Sequence, residues 1–114
     1  MKHDLSERIK FSERIKEITL ALVEQRSVVE TTDEIAVSDK VYEIMSQMDY
    51  YKKHPEKLYF VPVEKDRWGR KIVVAILNGE KTASKKTVAF IGHTDTVGTS
   101  DYGLLSEYAT KPYE

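Results

Sequence analysis

Leu58-Tyr59-Phe60-Val61-Pro62-Val63-Glu64-Lys65-Asp66-Arg67-Trp68-Gly69-Arg70-Lys71-Ile72-Val73-Val74-Ala75-Ile76-Leu77 decides the fold class. Its two ends, Leu58 to Glu64 and Lys71 to Leu77, have strand composition, and Asp66 to Arg70 between them has the composition of a turn. The stretch predicts a hairpin. Pro55 stands just ahead of it, and a proline disfavours helical geometry in the residue before it, so His54 closes the helix that precedes.

Upstream the apolar period is helical. Phe11, Ile15, Ile18 and Leu22 recur at spacings of four, three and four, which predicts a helix from about Asp4 to Arg26 with this stripe toward the core. Leu20 and Val23 lie round from the stripe, so the last turns are expected to be covered from more than one side, with the helix against a sheet. Ser6 to Lys10 and Ser12 to Lys16 both read Ser-Glu-Arg-Ile-Lys, a local duplication that puts Ile9 and Ile15 on different faces. A second helix is expected from about Asp33 to Lys53, with Val37, Val41, Ile44, Met45 and Met48 as its stripe. Thr31 and Glu34 have capping-box spacing at its start.

Downstream, Asn78-Gly79 opens a polar loop through Lys86, and Thr87 to Ile91 is a short continuous apolar run of the kind found in a buried central strand. Gly92 ends it. From Thr99 to Glu114 no period is visible, and Tyr102, Leu104, Leu105 and Tyr108 call for cover from outside this sequence. The expected fold class is α/β, two N-terminal helices followed by a mixed β-sheet. Residues 1–114 read as the N-terminal part of an incomplete domain.

Composition narrows the function. With 40% hydrophobic and 32% charged residues over 114 positions, the chain predicts a packed core and not disorder. A net charge of -1, with both signs interspersed, gives no field to gather nucleic acid or an anionic membrane. Met1 to Arg8 carries charge where a secretory leader needs an apolar run, and no stretch reaches membrane-spanning length, which predicts a cytoplasmic protein. There is no cysteine, so a metal here must be held by histidine and carboxylate.

Three histidines are candidates. His93 follows the apolar run in Gly92-His93-Thr94-Asp95-Thr96-Val97-Gly98, at the strand end where open α/β sheets bind ligands. If the backbone is extended through Thr94, His93 and Asp95 share a side, and the carboxylate can orient the imidazole toward a cation. A His-x-Asp tripeptide is also common by chance, and a strand-to-loop connection with Asp95 capping a helix accounts for it equally. His3, near the terminus, and His54, at a helix end, read as surface histidines. Trp68 is expected to pack over the hairpin or an interface with sequence outside this stretch, and Met45 and Met48 to fill core. Lys52, Lys53, Lys57 and the lysines from 81 to 86 read as solvated faces, and the tyrosines follow no repeat.

Val88-Ala89-Phe90-Ile91-Gly92-His93-Thr94-Asp95-Thr96-Val97 resembles the first metal-ligand motif of the aminoacylase, carboxypeptidase and peptidase T family of two-metal hydrolases (peptidase family M-twenty). Asp66 with Gly69-Arg70 ahead of Val73-Val74-Ala75, and Asp101-Tyr102-Gly103 with Leu105, Ala109 and Pro112, are similar to the arginine-utilization branch of that family. Gly98 stands where many members have proline, which favours the same branch and leaves the substrate open.

The resemblance implies the start of a zinc-exopeptidase-type α/β/α catalytic domain. It implies His93 as a metal ligand, Asp95 as the acidic catalytic-site residue that orients it, and two zinc ions, with cobalt or manganese also suited to such ligands. The substrate would be a small peptide or an amide of an amino acid. The bridging aspartate, the general-base glutamate and the remaining ligands match no position here. Residues 1–114 alone are therefore expected to be inactive, since a catalytic zinc needs at least three protein ligands. Self-association through an unpaired sheet edge is expected as well. The rival reading is a non-catalytic remnant or small interaction module that docks a partner on its apolar tail.

Overall fold

The computed structural model describes residues 4–81 and 83–113; His3 lies outside them. Its architecture is α/β. Helix α1 spans Leu5–Glu24, α2 Asp33–Ser46 and α3 Asp49–Lys53. A 3-10 turn at Pro55–Lys57 leads into strands β1, Leu58–Pro62, and β2, Lys71–Ala75. A 3-10 segment, Ser100–Tyr108, broken at Gly103, follows further on.

The hairpin forms where its composition places it. β1 and β2 pair antiparallel with Leu58 opposite Ala75 and Pro62 opposite Lys71. Val63 N–H to Arg70 O and Ile76 N–H to Lys57 O continue the ladder at both ends. The turn is held by one carboxylate. Asp66 Oδ2 accepts the N–H groups of Trp68 (3.2 Å) and Arg70 (2.8 Å), while Oδ1 accepts Nε (3.0 Å) and Nη2 (2.6 Å) of Arg70. Gly69 takes φ +70°, a left-handed conformation that costs glycine nothing sterically. The Arg67 guanidinium lies 4.4 Å from the Trp68 ring centre.

Helix α2 covers the hairpin. Tyr42 stacks on Phe60 at 4.5 Å between ring centres, and Lys71 pairs with Asp39 while its ammonium lies over the Phe60 ring. The Ser38 hydroxyl, between Glu34 O (3.0 Å) and Lys71 O (3.2 Å), joins helix to strand. Val37 and Leu58, 2% and 3% exposed, form the buried apolar centre among the described residues.

The second helix differs from its expected span. It ends at Ser46, and Met48 takes an extended conformation (ψ 138°) before α3 begins. Beyond that break Tyr50 packs on His54 (4.7 Å), and its hydroxyl accepts the Asn78 N–H at 3.0 Å. His54, with Glu56 3.8 Å from its Nδ1 and its side chain 44% exposed, is a surface histidine at a helix end, one side of its ring covered by Tyr50. The box at the start of α2 is also shifted. Thr31 Oγ1 accepts the Asp33 N–H (3.2 Å), and Glu34 reaches back past Thr31 to the Glu30 N–H (2.7 Å).

Two apolar expectations are not met. The α1 stripe is half-covered at Ile18 and Leu22 but exposed at Phe11 and Ile15, and the main contact of α1 is with α2 and not with a sheet. Thr87 to Ile91 has strand composition yet is not part of a ladder, with Phe90 95% and Ile91 98% exposed. A central strand needs neighbours on both edges and cover on both faces, and the described residues provide neither.

The surface records the same fact. The accessible area is 9741 Å², against about 6,400 Å² for a compact chain of this mass. The radius of gyration is 17.2 Å, against about 13 Å for a compact domain.

Candidate metal-ligand site

Beyond Ile91 the chain is tied down again at Thr96. Its N–H donates to Ser27 O (2.8 Å) and its carbonyl accepts the Val29 N–H (2.8 Å), which makes a parallel bridge between Val28 and Thr96. Ser27 is buried. These two bonds fix the loop that carries His93, Thr94 and Asp95.

Within that loop His93 and Asp95 are brought together on one side. His93 Nδ1 lies 3.1 Å from the Asp95 backbone oxygen and 3.3 Å from its carboxylate Oδ1. Both neighbours can only accept a hydrogen bond. In the neutral ring Nδ1 must therefore carry the proton, which leaves the lone pair on Nε2. The side chain is 84% exposed, so Nε2 is open to solvent. This arrangement suits an imidazole donor for a divalent cation, with Asp95 fixing tautomer and ring direction. Among the described residues no group of three histidine, aspartate or glutamate side chains could hold a metal ion, so these residues do not by themselves complete a catalytic zinc site.

The loop borders two concavities. An open groove of about 1040 Å³ runs between the end of α1 and the 3-10 segment, with Leu22, Val37, His93, Thr96 and Leu105 among its lining. A smaller one of about 260 Å³ lies between the start of α2 and the hairpin, lined by Glu34, Ser38, Arg70 and Lys71, with Thr94 at the edge of both.

Arg70 joins these parts. Its Nη1 lies 3.4 Å from Glu34 Oε2 while its other nitrogens hold Asp66. The guanidinium beside Asp66 lowers that carboxyl to about 2, and the carboxylates around Arg70 raise the guanidinium further above its already high value. The Asp66 to Arg70 half of this brace has a signal in the sequence, an acid and a base across a Gly turn. Its link to Glu34, 36 residues away, has none.

Comparison with known proteins sets the chain beside two proteins of Bacillus subtilis (strain 168). It is 32% identical over 94 residues to the uncharacterized protein YqjN, across 82% of this chain and 16% of that protein. It is 31% identical over 98 residues to protein RocB, across 86% of this chain and 17% of that protein. The chain thus spans about a sixth of the length of these relatives. No protein-family profile matches, and no solved structure matches. No described helix is long and apolar enough to cross a membrane.

Proposed function

We propose that residues 1–114 form the opening part of the catalytic domain of a cytoplasmic, metal-dependent amidohydrolase or peptidase, with a role in arginine utilization. One observation carries the reading: His93 has its Nδ1 occupied by Asp95 and its Nε2 presented to solvent. The resemblance of residues 88–97 to a two-metal hydrolase motif and the similarity to part of two much longer proteins support it. His93 would hold one of two divalent ions, zinc first by ligand type, and Asp95 would keep the ring in its Nδ1–H tautomer. The metals would supply a polarised carbonyl and an acidified water for attack on an amide of an amino acid or small peptide. The further ligands and the general base would come from sequence outside these 114 positions, and the exposed run at 87–91 would gain its strand partners there.

The exposed apolar side chains of Phe90, Ile91 and Leu104 equally favour a second reading, a non-catalytic module that docks a partner. Elemental analysis of the protein from the uninterrupted reading frame, after gel filtration, separates the two. About two equivalents of zinc, reduced in His93→Ala, support the hydrolase. Absence of metal and of amide hydrolysis refutes it and leaves the module.

A further inference from the structure

Among the described residues, the backbone of the loop holding His93 is anchored by the pair of bonds between Thr96 and residues 27 and 29, which ties its position to the turn from Ser27 to Thr31. That turn is itself under strain. Glu30 has φ +58°, a left-handed conformation that a side chain bearing Cβ disfavours.

The Glu34 side chain meets the strained residue. Glu34 Oε2 accepts the Glu30 N–H at 2.7 Å and is met from the other side by Arg70 Nη1 at 3.4 Å. The Glu34 side chain is 13% exposed and that of Arg70 33%, so their pairing is partly covered, whereas the bond to Glu30 lies at the surface. The Thr31 hydroxyl donates to Val28 O at 2.7 Å and closes the turn on the residue that bridges to Thr96. Contacts thus run from Asp66 through Arg70 and Glu34 to Glu30, and the Thr31 hydroxyl, next in the chain, carries them on to Val28, which bridges to Thr96.

We infer that Glu34, backed by Arg70, is a positioning residue: it holds Glu30 in its left-handed conformation and thereby sets the strand-like segment 27–29 against which the His93 loop is registered. Its consequence for metal binding rests on the hydrolase reading; its consequence for the loop does not. Glutamine at 34 keeps an acceptor oxygen for Glu30 but loses the charge that meets Arg70. Alanine loses both. Glycine at 30 adopts the left-handed conformation without steric cost and so replaces what the carboxylate does for the backbone.

The test uses the full-length protein with Glu34→Ala, Glu34→Gln and the double variant Glu34→Ala/Glu30→Gly. Hydrogen exchange is read at the Thr96 and Val29 amides, and affinity for added Zn²⁺ is measured against a competing chelator. Glu34→Ala is expected to speed exchange at these two amides by about tenfold or more while the hairpin amides stay protected, and to weaken Zn²⁺ binding by about tenfold. Glu34→Gln should fall between, and Glu30→Gly should restore most of both. Unchanged exchange at Thr96 in Glu34→Ala overturns the inference, as does a uniform rise over helices and hairpin that Glu30→Gly leaves uncorrected. A wild-type protein that takes up no Zn²⁺ refutes the hydrolase reading, while the exchange result still decides whether Glu34 sets the loop.

Discussion

Leu58→Ala is expected to remove a large part of the stability of the α2–hairpin unit. Leu58 is 3% exposed and faces the layer in which Val37 is 2% exposed. The substitution deletes three carbons, worth about 2.4 kcal/mol at roughly 0.8 kcal/mol each, and the cavity left behind raises the loss to about 3 kcal/mol, within the usual range of about 2–5 kcal/mol. With a urea dependence of about 1.5 kcal/mol per molar, the midpoint should fall by about 2 M. Urea titration followed by far-ultraviolet circular dichroism measures it, with Leu104→Ala as the control at a position 93% exposed. The control should move by at most about 0.5 kcal/mol, or about 0.3 M. Equal shifts in the two variants would mean that Leu58 is no more buried in solution than Leu104, and the core as described would be wrong.

The Asp66 carboxyl is lowered from 3.8 to about 2, so the folded state binds its proton less readily than the unfolded state. Its contribution is whole above about pH 4 and is lost as pH falls through about 2. Asp66→Asn should be less stable at pH 7 and show a flatter stability profile between pH 4 and 2, and a wild-type profile retained in the variant would exclude this role. Gly69→Ala meets open space at its Cβ, so its cost is that of the left-handed backbone alone, about 1–2 kcal/mol, read as a lowered thermal midpoint. Residues 1–114 alone should self-associate in sedimentation through the run at 87–91, and Phe90→Lys should shift them toward monomer; a monomeric wild-type chain at high concentration would contradict this.

What was legible in the sequence follows from how local each feature is. The hairpin is set by a turn whose acid, glycine and base lie within five residues, so composition alone placed it. The starts of both helices are of the same kind, and His93 and Asp95, two positions apart, are close enough in sequence for their pairing to be local. The break at Met48 was hidden because Val37 to Met48 keeps a helical period through it. Thr87 to Ile91 shows the limit most clearly: composition reports the environment a segment suits, whereas burial depends on partners elsewhere. The Glu34 brace was hidden for a third reason. Glu34 has an evident local use as a cap, and nothing in the spacing reveals that the same carboxylate meets Arg70.

The open run at 87–91 has a further consequence for the chain before its apolar surface is covered. Thr-Val-Ala-Phe-Ile carries no charge and no proline, the composition of a segment that stacks into intermolecular cross-β ribbons. Immediately ahead stand Lys85 and Lys86, with Lys81 a few residues earlier, all exposed. Bringing two such segments into register would stack these ammonium groups on one another, a repulsion that makes them gatekeepers of the run. Neutralising Lys85 and Lys86 should therefore raise the rate of thioflavin-positive aggregation while leaving the hairpin and helices as they are.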